Sequence, residues 1–391
     1  MTSEPGQEII LSFVIPCLNE AGTLAATVAD CHRGGRDAAV PYEVVVADNG
    51  SRDGSPQIAA AQGARVVSVP QRGYGAALLA GIAAARGAFV LMGDGDATYR
   101  FDQAARFLAP LQQGADLVMG NRFRGTIEVG AMPFLHRYLG NPALSLIGRV
   151  LFGIGIGDFH CGLRAFRRSS IEALHLGCTG MEFASEMVIK ASIRDLRLVE
   201  VPTDLRANPP GRRPHLRTWR DGWRHLKFML SFSPRYAFLG LGSVCLLASL
   251  LLYGAYVLQV AVFTGTTTLL AAGFLFFASA ALISDYIATR FFFVRSYGSQ
   301  VGRGGRLIDR LFSARSGVDR LMRIAALALV LALLFALMTS QVYGQYQVAA
   351  ASARAVSQLA FLTFLCVSIS LFSYLTGAKI STLQAFQGRQ I

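Results

Sequence analysis

Ala88-Phe89-Val90-Leu91-Met92-Gly93-Asp94-Gly95-Asp96-Ala97-Thr98-Tyr99 is the stretch from which the rest of the chain can be read. Its first half is a short apolar run and its second a cluster of turn formers, as expected of a buried strand that ends in a loop. Four more stretches share the form: IILSFVIP at 9–16, YEVVVAD at 42–48, ARVVSV at 64–69 and ADLVMG at 115–120. Each is followed by an Ala- and Leu-rich helical pattern. Strands that alternate with helices imply an α/β domain with a mainly parallel sheet, and such sheets bind ligands outside the carboxyl ends of their strands.

The residues at those ends are polar. They are Pro16-Cys17-Leu18-Asn19-Glu20, Asp48-Asn49-Gly50-Ser51, Arg72-Gly73-Tyr74-Gly75, Asp94-Gly95-Asp96 and Gly120-Asn121-Arg122. Asp94 and Asp96 offer hard oxygen ligands to Mg2+ or Mn2+, which can also coordinate a diphosphate. Asp48 arrives from another strand end. The G-x-G at 73–75 does not make a dinucleotide site: Leu78 replaces the third glycine, and the fingerprint belongs after the first strand, not the third.

The chain has 391 residues, 53% apolar and only 16% charged, which excludes disorder and a disulfide-dense secreted module. Residues 1–204 carry 18 Lys+Arg against 20 Asp+Glu, whereas residues 205–391 carry 19 against 4. The basic half is also the more apolar, so its expected acidic partner is an anionic membrane surface and not nucleic acid. The six cysteines show no metal spacing and are expected to be reduced. MTSEPGQEIILSFVIP has no basic segment before its apolar run, so no signal peptide is expected.

Four apolar stretches, about 237–263, 269–294, 324–344 and 355–376, are long enough to cross a bilayer. Between the second and third lie Arg295, Arg303, Arg306, Arg310, Arg315, Arg320 and Arg323, while the outer loops are nearly uncharged. The positive-inside rule then places the N-terminal domain and both termini in the cytoplasm, against the inner membrane. Asp285, inside the second stretch, is a functional candidate by default, but Tyr286 and Arg290 beside it suggest a paired carboxylate near the cytoplasmic end. Trp219, Trp223, Leu226 and Leu230 recur at helical spacing beside Arg220, Arg224 and Lys227. That describes a helix lying in the interfacial plane, with packing on the soluble domain as the alternative. The expected organisation is a cytosolic catalytic domain at 1–204, a basic loop and amphipathic helix at 205–234, and a transmembrane domain at 235–391.

As a set, VIPCLNE at 14–20, VVVADNGSRDGS at 44–55, RGYGAAL at 72–78, GDGD at 93–96, GNRF at 120–123, DFHCGLRAF at 158–166 and GMEFASEM at 180–187 resemble glycosyltransferase family 2 enzymes of GT-A fold. The nearest branch is the polyprenyl-phosphate, dolichyl-phosphate-type transferases. The resemblance implies that Pro16, Asn19, Glu20 and Asp48 line a nucleoside pocket and that Asp94 and Asp96 hold the ion and the donor diphosphate. It implies that Arg122, Arg137, Asn141, Arg212 and Arg213 meet an acceptor phosphate, and that Asp158 and Arg164 line the site. Asn49 departs from the family's usual second acidic residue, and Gly211-Arg212-Arg213-Pro214-His215 from its usual basic loop.

The resemblance predicts an inverting transfer of one hexose, with UDP-glucose the favoured donor, to a polyprenyl phosphate. A phosphomonoester is largely a dianion at neutral pH, so such an acceptor needs cations to orient it more than a base. Glu182 and Glu186, four apart on one helical face, are the candidates if a base is needed; the plainer reading is carboxylates at a helix N-terminus, paired with an Arg. The alternatives are a processive polysaccharide synthase, against which the missing Gln-x-x-Arg-Trp argues, and a catalytically silent scaffold. A homo-oligomer is compatible with everything above.

Overall fold

The computed structural model describes residues 8–209, 218–233, 235–263, 265–297, 316–347 and 353–387. Arg212, Arg213 and most of the Arg-rich segment after the second apolar stretch lie outside them. The chain divides into two compact units, Met1–Phe232 and Ser233–Ile391.

The first unit runs β1 (Leu11–Cys17), α1 (Leu24–Asp37), β2 (Tyr42–Asp48), α2 (Ser55–Ala61), β3 (Arg65–Ser68), α3 (Tyr74–Ala84), β4 (Phe89–Met92), α4 (Ala104–Gln112), β5 (Leu117–Asn121), α5 (Asn141–Phe152), β6 (Arg164–Arg167), α6 (Arg168–Glu172), α7 (Phe183–Ile193), β7 (Leu198–Pro202) and α8 (Thr218–Ser231). The strands form one sheet in the order β3-β2-β1-β4-β6-β5-β7. All neighbours are parallel except around β6, which runs antiparallel to both β4 and β5. This is the mainly parallel, GT-A-like α/β architecture expected from the alternation.

Both faces of the sheet are covered, and that is why its strands read as unbroken apolar runs. Phe13, Ile15, Val44, Val46 and Leu91 point into the core shared with α1 and α4. Val14, Val45, Val90 and Met92, one residue out of phase, point into the opposite core, beside residues of α3, α5, α7 and α8. Each fully buried Val, Ile or Leu contributes about 1.5–3 kcal/mol.

The strand order reverses between β1 and β4, which opens a crevice beyond their carboxyl ends. Because β6 is antiparallel, its first residue, Arg164, pairs with Met92 at the end of β4 and with Met119 near the end of β5. The loop that enters β6 therefore reaches the same edge of the sheet as the loops that leave the parallel strands.

In the second unit, α9 (Leu241–Val257), α10 (Thr266–Tyr297), α11 (Ser316–Gln347) and α12 (Ala353–Gln387) follow one another. Among the described residues, four segments are long and apolar enough to cross a membrane: Phe238–Val257, Thr267–Arg290, Asp319–Met338 and Ala355–Ile380. Many of their large apolar side chains face outward, Val244, Leu251, Leu270 and Leu327 among them. Ser249 donates to the Ala272 carbonyl at 2.7 Å, and Tyr253 stacks on Phe361. Asp285 is ion-paired with Lys379 of α12, a partner remote in sequence.

Candidate functional site

The crevice is built from strand-end loops tied to one another by hydrogen bonds. The β1 and β2 loops are laced together: Asn19 N donates to Ser51 Oγ, Arg52 N to Asn19 Oδ1, Glu20 N to Ser55 Oγ and Ala21 N to Asp53 Oδ2, each at 2.9 Å. Asn19 has a φ of 58°, the left-handed region that Asn tolerates better than most residues. Asp48 is buried and accepts from the amides of Gly50 and Ser51, closing a turn at the end of β2. Asn19, Glu20 and Asp48 thus belong to one rigid corner beside Pro16.

Asn49 explains its own departure from an acidic residue. Its amide nitrogen donates to the carbonyls of Val69 and Gln71 at 3.1 and 2.7 Å, while its oxygen accepts from Gly73 N at 2.8 Å. An ionised carboxylate could not donate to those two carbonyls. Asn49 locks the β2 loop to the segment that starts α3.

That start is crowded. An added Cβ at Gly73, whose φ is +139°, would lie 2.2 Å from the Thr179 carbonyl oxygen, and one at Gly75 would lie 2.2 Å from that of Cys178. Ala76 N donates to the Thr179 carbonyl. The two glycines of the G-x-G therefore admit the 177–180 loop, whose carbonyls occupy the helix N-terminus where a pyrophosphate would have to sit.

Asp94 and Asp96 follow β4. Tyr74 donates its hydroxyl to Asp94 Oδ1 at 2.9 Å, and Thr98 donates both its amide and its hydroxyl to Asp96 Oδ1. Thr23 and Thr27 of the β1 side both donate to the Gly95 carbonyl, at 2.9 and 3.1 Å, so the backbone between the two carboxylates is fixed. Burial, and after it the Asp94 charge, raises the Tyr74 phenol well above its ordinary value and keeps it a donor. Among the described residues no three Asp, Glu, His or Cys side chains gather as a metal cage. Two oriented carboxylates at a crevice nonetheless fit a Mg2+ or Mn2+ ion that completes its shell with water and substrate phosphate, the usual habit of Mg2+.

Beyond β5, Asn121 caps a short turn by accepting from the amides of Phe123 and Arg124. Arg122 is buried and grips Asp158 through Nε and an Nη, at 2.7 and 2.8 Å. Burial opposes its charge, but Tyr99 and Asp158 outweigh burial and hold its pKa above the ordinary value. Asp158 belongs to the loop entering β6, and Gly162 of that loop donates to the Tyr99 hydroxyl at 2.9 Å.

Arg164 lies beneath the crevice, fully buried, with its guanidinium on the carbonyls of Cys161, Phe159 and Ala184. Arg137 and Asn141 sit further out, in a π-turn and at the start of α5. There Arg137 lies over the Tyr138 ring and Asn141 contacts Met132.

Both candidate bases are engaged. Glu186 pairs with Lys190 at 2.8 Å and accepts from the amides of Gly177 and Cys178. Burial works against its charge, but the Lys190 and amide hydrogen bonds prevail and hold its carboxyl below the usual range. Glu182 pairs with Arg224 of α8 at 2.7 Å.

On α8 itself, His225 and Met229 are buried against the unit and Leu226 is half-buried, whereas Trp223 and Leu230 face outward. The helix both packs on the domain and presents an apolar edge. His225 hydrogen-bonds Ser185 at 2.9 Å and meets the His160 ring edge-on at 4.8 Å. Sequence reasoning assigned no role to Tyr74 or His160. Tyr74 could have been suspected from its place after Gly73 at a strand-end loop, but His160 carried no spacing signal.

The chain is similar to a set of known proteins. The family described as Glycosyl transferase family 2 matches residues 12–174. The low-salt glycan biosynthesis hexosyltransferase of Haloferax volcanii is 41% identical over 58% of this chain, which spans 55% of that relative's length. A dolichyl-phosphate hexose transferase of the same organism is 33% identical over 50% of this chain and 82% of its own length. Among solved structures, glucosyl-3-phosphoglycerate synthase from Mycobacterium tuberculosis, crystallised with Mn2+ and uridine diphosphate, overlaps 59% of this chain and 85% of its own at 23% identity and a TM-score of 0.45. With the motif series in the predicted loops and a relative matched over most of its length, the chain belongs to glycosyltransferase family 2.

Proposed function

We propose that this enzyme transfers a single hexose, with inversion, from a nucleoside-diphosphate sugar to a polyprenyl phosphate at the cytoplasmic membrane face, with UDP-glucose as the favoured donor. The observation that carries the reading is the Asp94/Asp96 pair at the β1/β4 crevice, in a chain that also holds four helices able to cross a membrane.

In this reading the corner formed by Pro16, Asn19, Glu20 and Asp48 receives the nucleoside. Asp94 and Asp96 would hold a Mg2+ or Mn2+ ion, which when bound would offset charge on the departing diphosphate. Tyr74 and Thr98 aim the two carboxylates. Arg122, with Arg137, Asn141, Arg212 and Arg213, orients the acceptor phosphate, and Asp158 sets the plane of the Arg122 fork. The phosphate oxygen attacks the anomeric carbon from the face opposite the leaving group, forming a C–O bond as the bond to the diphosphate breaks. A phosphate dianion has no proton to surrender, so Glu182 and Glu186 serve as pairing groups.

The test is an assay of the purified chain with undecaprenyl phosphate and a panel of UDP- and GDP-hexoses, resolved by mass. A lipid-linked monosaccharide is expected. Absence of one from every donor would overturn the reading, and long polymer products would replace it with a processive synthase.

A further inference from the structure

One face of α1 buries a stripe of polar side chains. Thr23, at its N-cap, Thr27 and Asp30 recur at i, i+4 and i+7, so they share that face, and all three are buried. Leu24, Val28 and Cys31 beside them pack into the sheet core. Buried polar groups persist where they are hydrogen-bonded, and a buried carboxylate where it is paired. The partners of this stripe converge on the turn that carries Asp96. Thr23 and Thr27 donate to the Gly95 carbonyl, and Ala97 N donates to Thr27 Oγ1 at 3.1 Å. Asp30 reaches the turn through Arg206, with which it is ion-paired, Arg33 being a second cation on the same carboxylate.

Arg206 lies in a strap, residues 203–207, that leaves β7 and runs between the Asp96 turn and the chain leaving β5. On the β5 side Leu205 N donates to the Thr126 carbonyl, Glu128 N to the Leu205 carbonyl and Thr126 N to Asp204 Oδ1. On the other side Leu205 bridges Tyr99, and Arg206 N donates to the Thr98 carbonyl at 2.9 Å. The Arg206 side chain then crosses to Asp30 and lies 3.8 Å from Asp102, which Arg100 holds at 2.7 Å. Between these two holders Ala97 has a φ of 62°, the left-handed region that a residue with a Cβ disfavours. Such a conformation persists where its surroundings over-determine it.

We infer that Arg206 is a positioning residue for the Asp96 turn: its ion pair with Asp30 closes α1 and the strap around residues 95–98 and fixes Asp96 before an ion and a donor arrive. Arg206 acts through Thr98, whose amide and hydroxyl both aim Asp96. A carboxylate already aimed loses less freedom when the ion binds. The consequence for the ion rests on the role proposed above for Asp94 and Asp96; the hold on the turn does not.

The test uses the full chain in detergent with Arg206→Gln, Asp30→Asn, the double variant and Arg206→Lys, each verified as folded by circular dichroism. Hydrogen–deuterium exchange is followed at the amides of Ala97 and Thr98, which are bonded to Thr27 Oγ1 and Asp96 Oδ1. Each single neutral variant is expected to speed exchange there by about tenfold, the loss of one hydrogen bond to a charged group, with β4 and β5 unaffected. The double variant should exchange no faster than the singles, because both lack the same contact, and Arg206→Lys should recover part of the protection. The Kd for Mn2+ in the presence of UDP, read by calorimetry, should weaken by a similar factor. Unchanged exchange at Ala97 and Thr98, acceleration spread evenly through the strands, or an unaltered Mn2+ Kd beside faster exchange would each overturn the inference. A wild-type chain that binds no Mn2+ while the variants still loosen the turn would instead refute the ion and leave the hold of Arg206 standing.

Discussion

Asp158 holds Arg122 by two side-chain hydrogen bonds, and its Oδ2 also accepts from the Arg122 backbone amide at 3.1 Å. The carboxylate lies in the loop entering β6 and the guanidinium just past β5, so one buried ion pair clamps the two sides of the crevice wall. Removing one partner of such a pair strands a charge out of water. Asp158→Ala is expected to destabilise the domain by about 3–5 kcal/mol, read as a fall in Tm of the detergent-solubilised enzyme. Adding Arg122→Met should recover much of the loss in Tm without restoring turnover.

Asp96→Asn should reduce turnover to background while leaving the circular dichroism spectrum unchanged, since the half-buried Asp96 sits in the loop after β4 and an amide oxygen in its place can still accept from Thr98. Excess EDTA should likewise silence the enzyme, and added Mn2+ or Mg2+ should restore it. Full activity in chelator would remove the metal from the mechanism.

Tyr74→Phe deletes one hydrogen bond to Asp94 without emptying space. A hydrogen bond to a charged group is worth about 1.5–3 kcal/mol, so the Kd for Mn2+, measured by calorimetry in the presence of UDP, should rise by roughly tenfold or more. An unchanged Kd would mean that the phenol does not set the carboxylate.

His160 gives the stability a pH dependence of definite sign. Burial first, then the neighbouring His225 and the charges of Arg164 and Arg122, depress its pKa well below 6.5, and its Nδ1 is buried without a hydrogen-bond partner among the described residues. The folded ring is neutral while the unfolded one protonates near pH 6.5, so the unfolded state binds the extra proton and stability falls as pH drops below that value. His160→Gln should flatten the decline in Tm between pH 6.5 and 5.

The sequence disclosed β1, β2, β4 and β5, whose both faces are buried and which therefore read as near-continuous apolar runs, and also β3, a half-exposed edge strand marked by its valines. It did not disclose β6, four residues bounded by Arg164 and Arg167, whose strand pairing follows from insertion between β4 and β5. It also passed over β7, although Leu198-Val199-Glu200-Val201 carries an ordinary strand pattern. The positions of Asp94, Asp96 and Asp48 were legible because a strand's end fixes where the next residues go. The Asn49 lock, the Tyr74 hydrogen bond and the Asp285–Lys379 pair were not, since each joins residues whose proximity only the folded chain defines.

The reversed direction of β6 has a practical outcome. Residues 122–163 leave the sheet at the end of β5 and re-enter it at the adjoining start of β6, so this excursion departs and returns at neighbouring points of one rim. Its length and outward-facing residues can change while every strand keeps its neighbours, provided that Ile156 and Phe159 stay in the core and Asp158 stays on Arg122. Grafting that excursion from a homologue onto this scaffold should transplant the preference for the recipient molecule and leave the choice of sugar donor where it was.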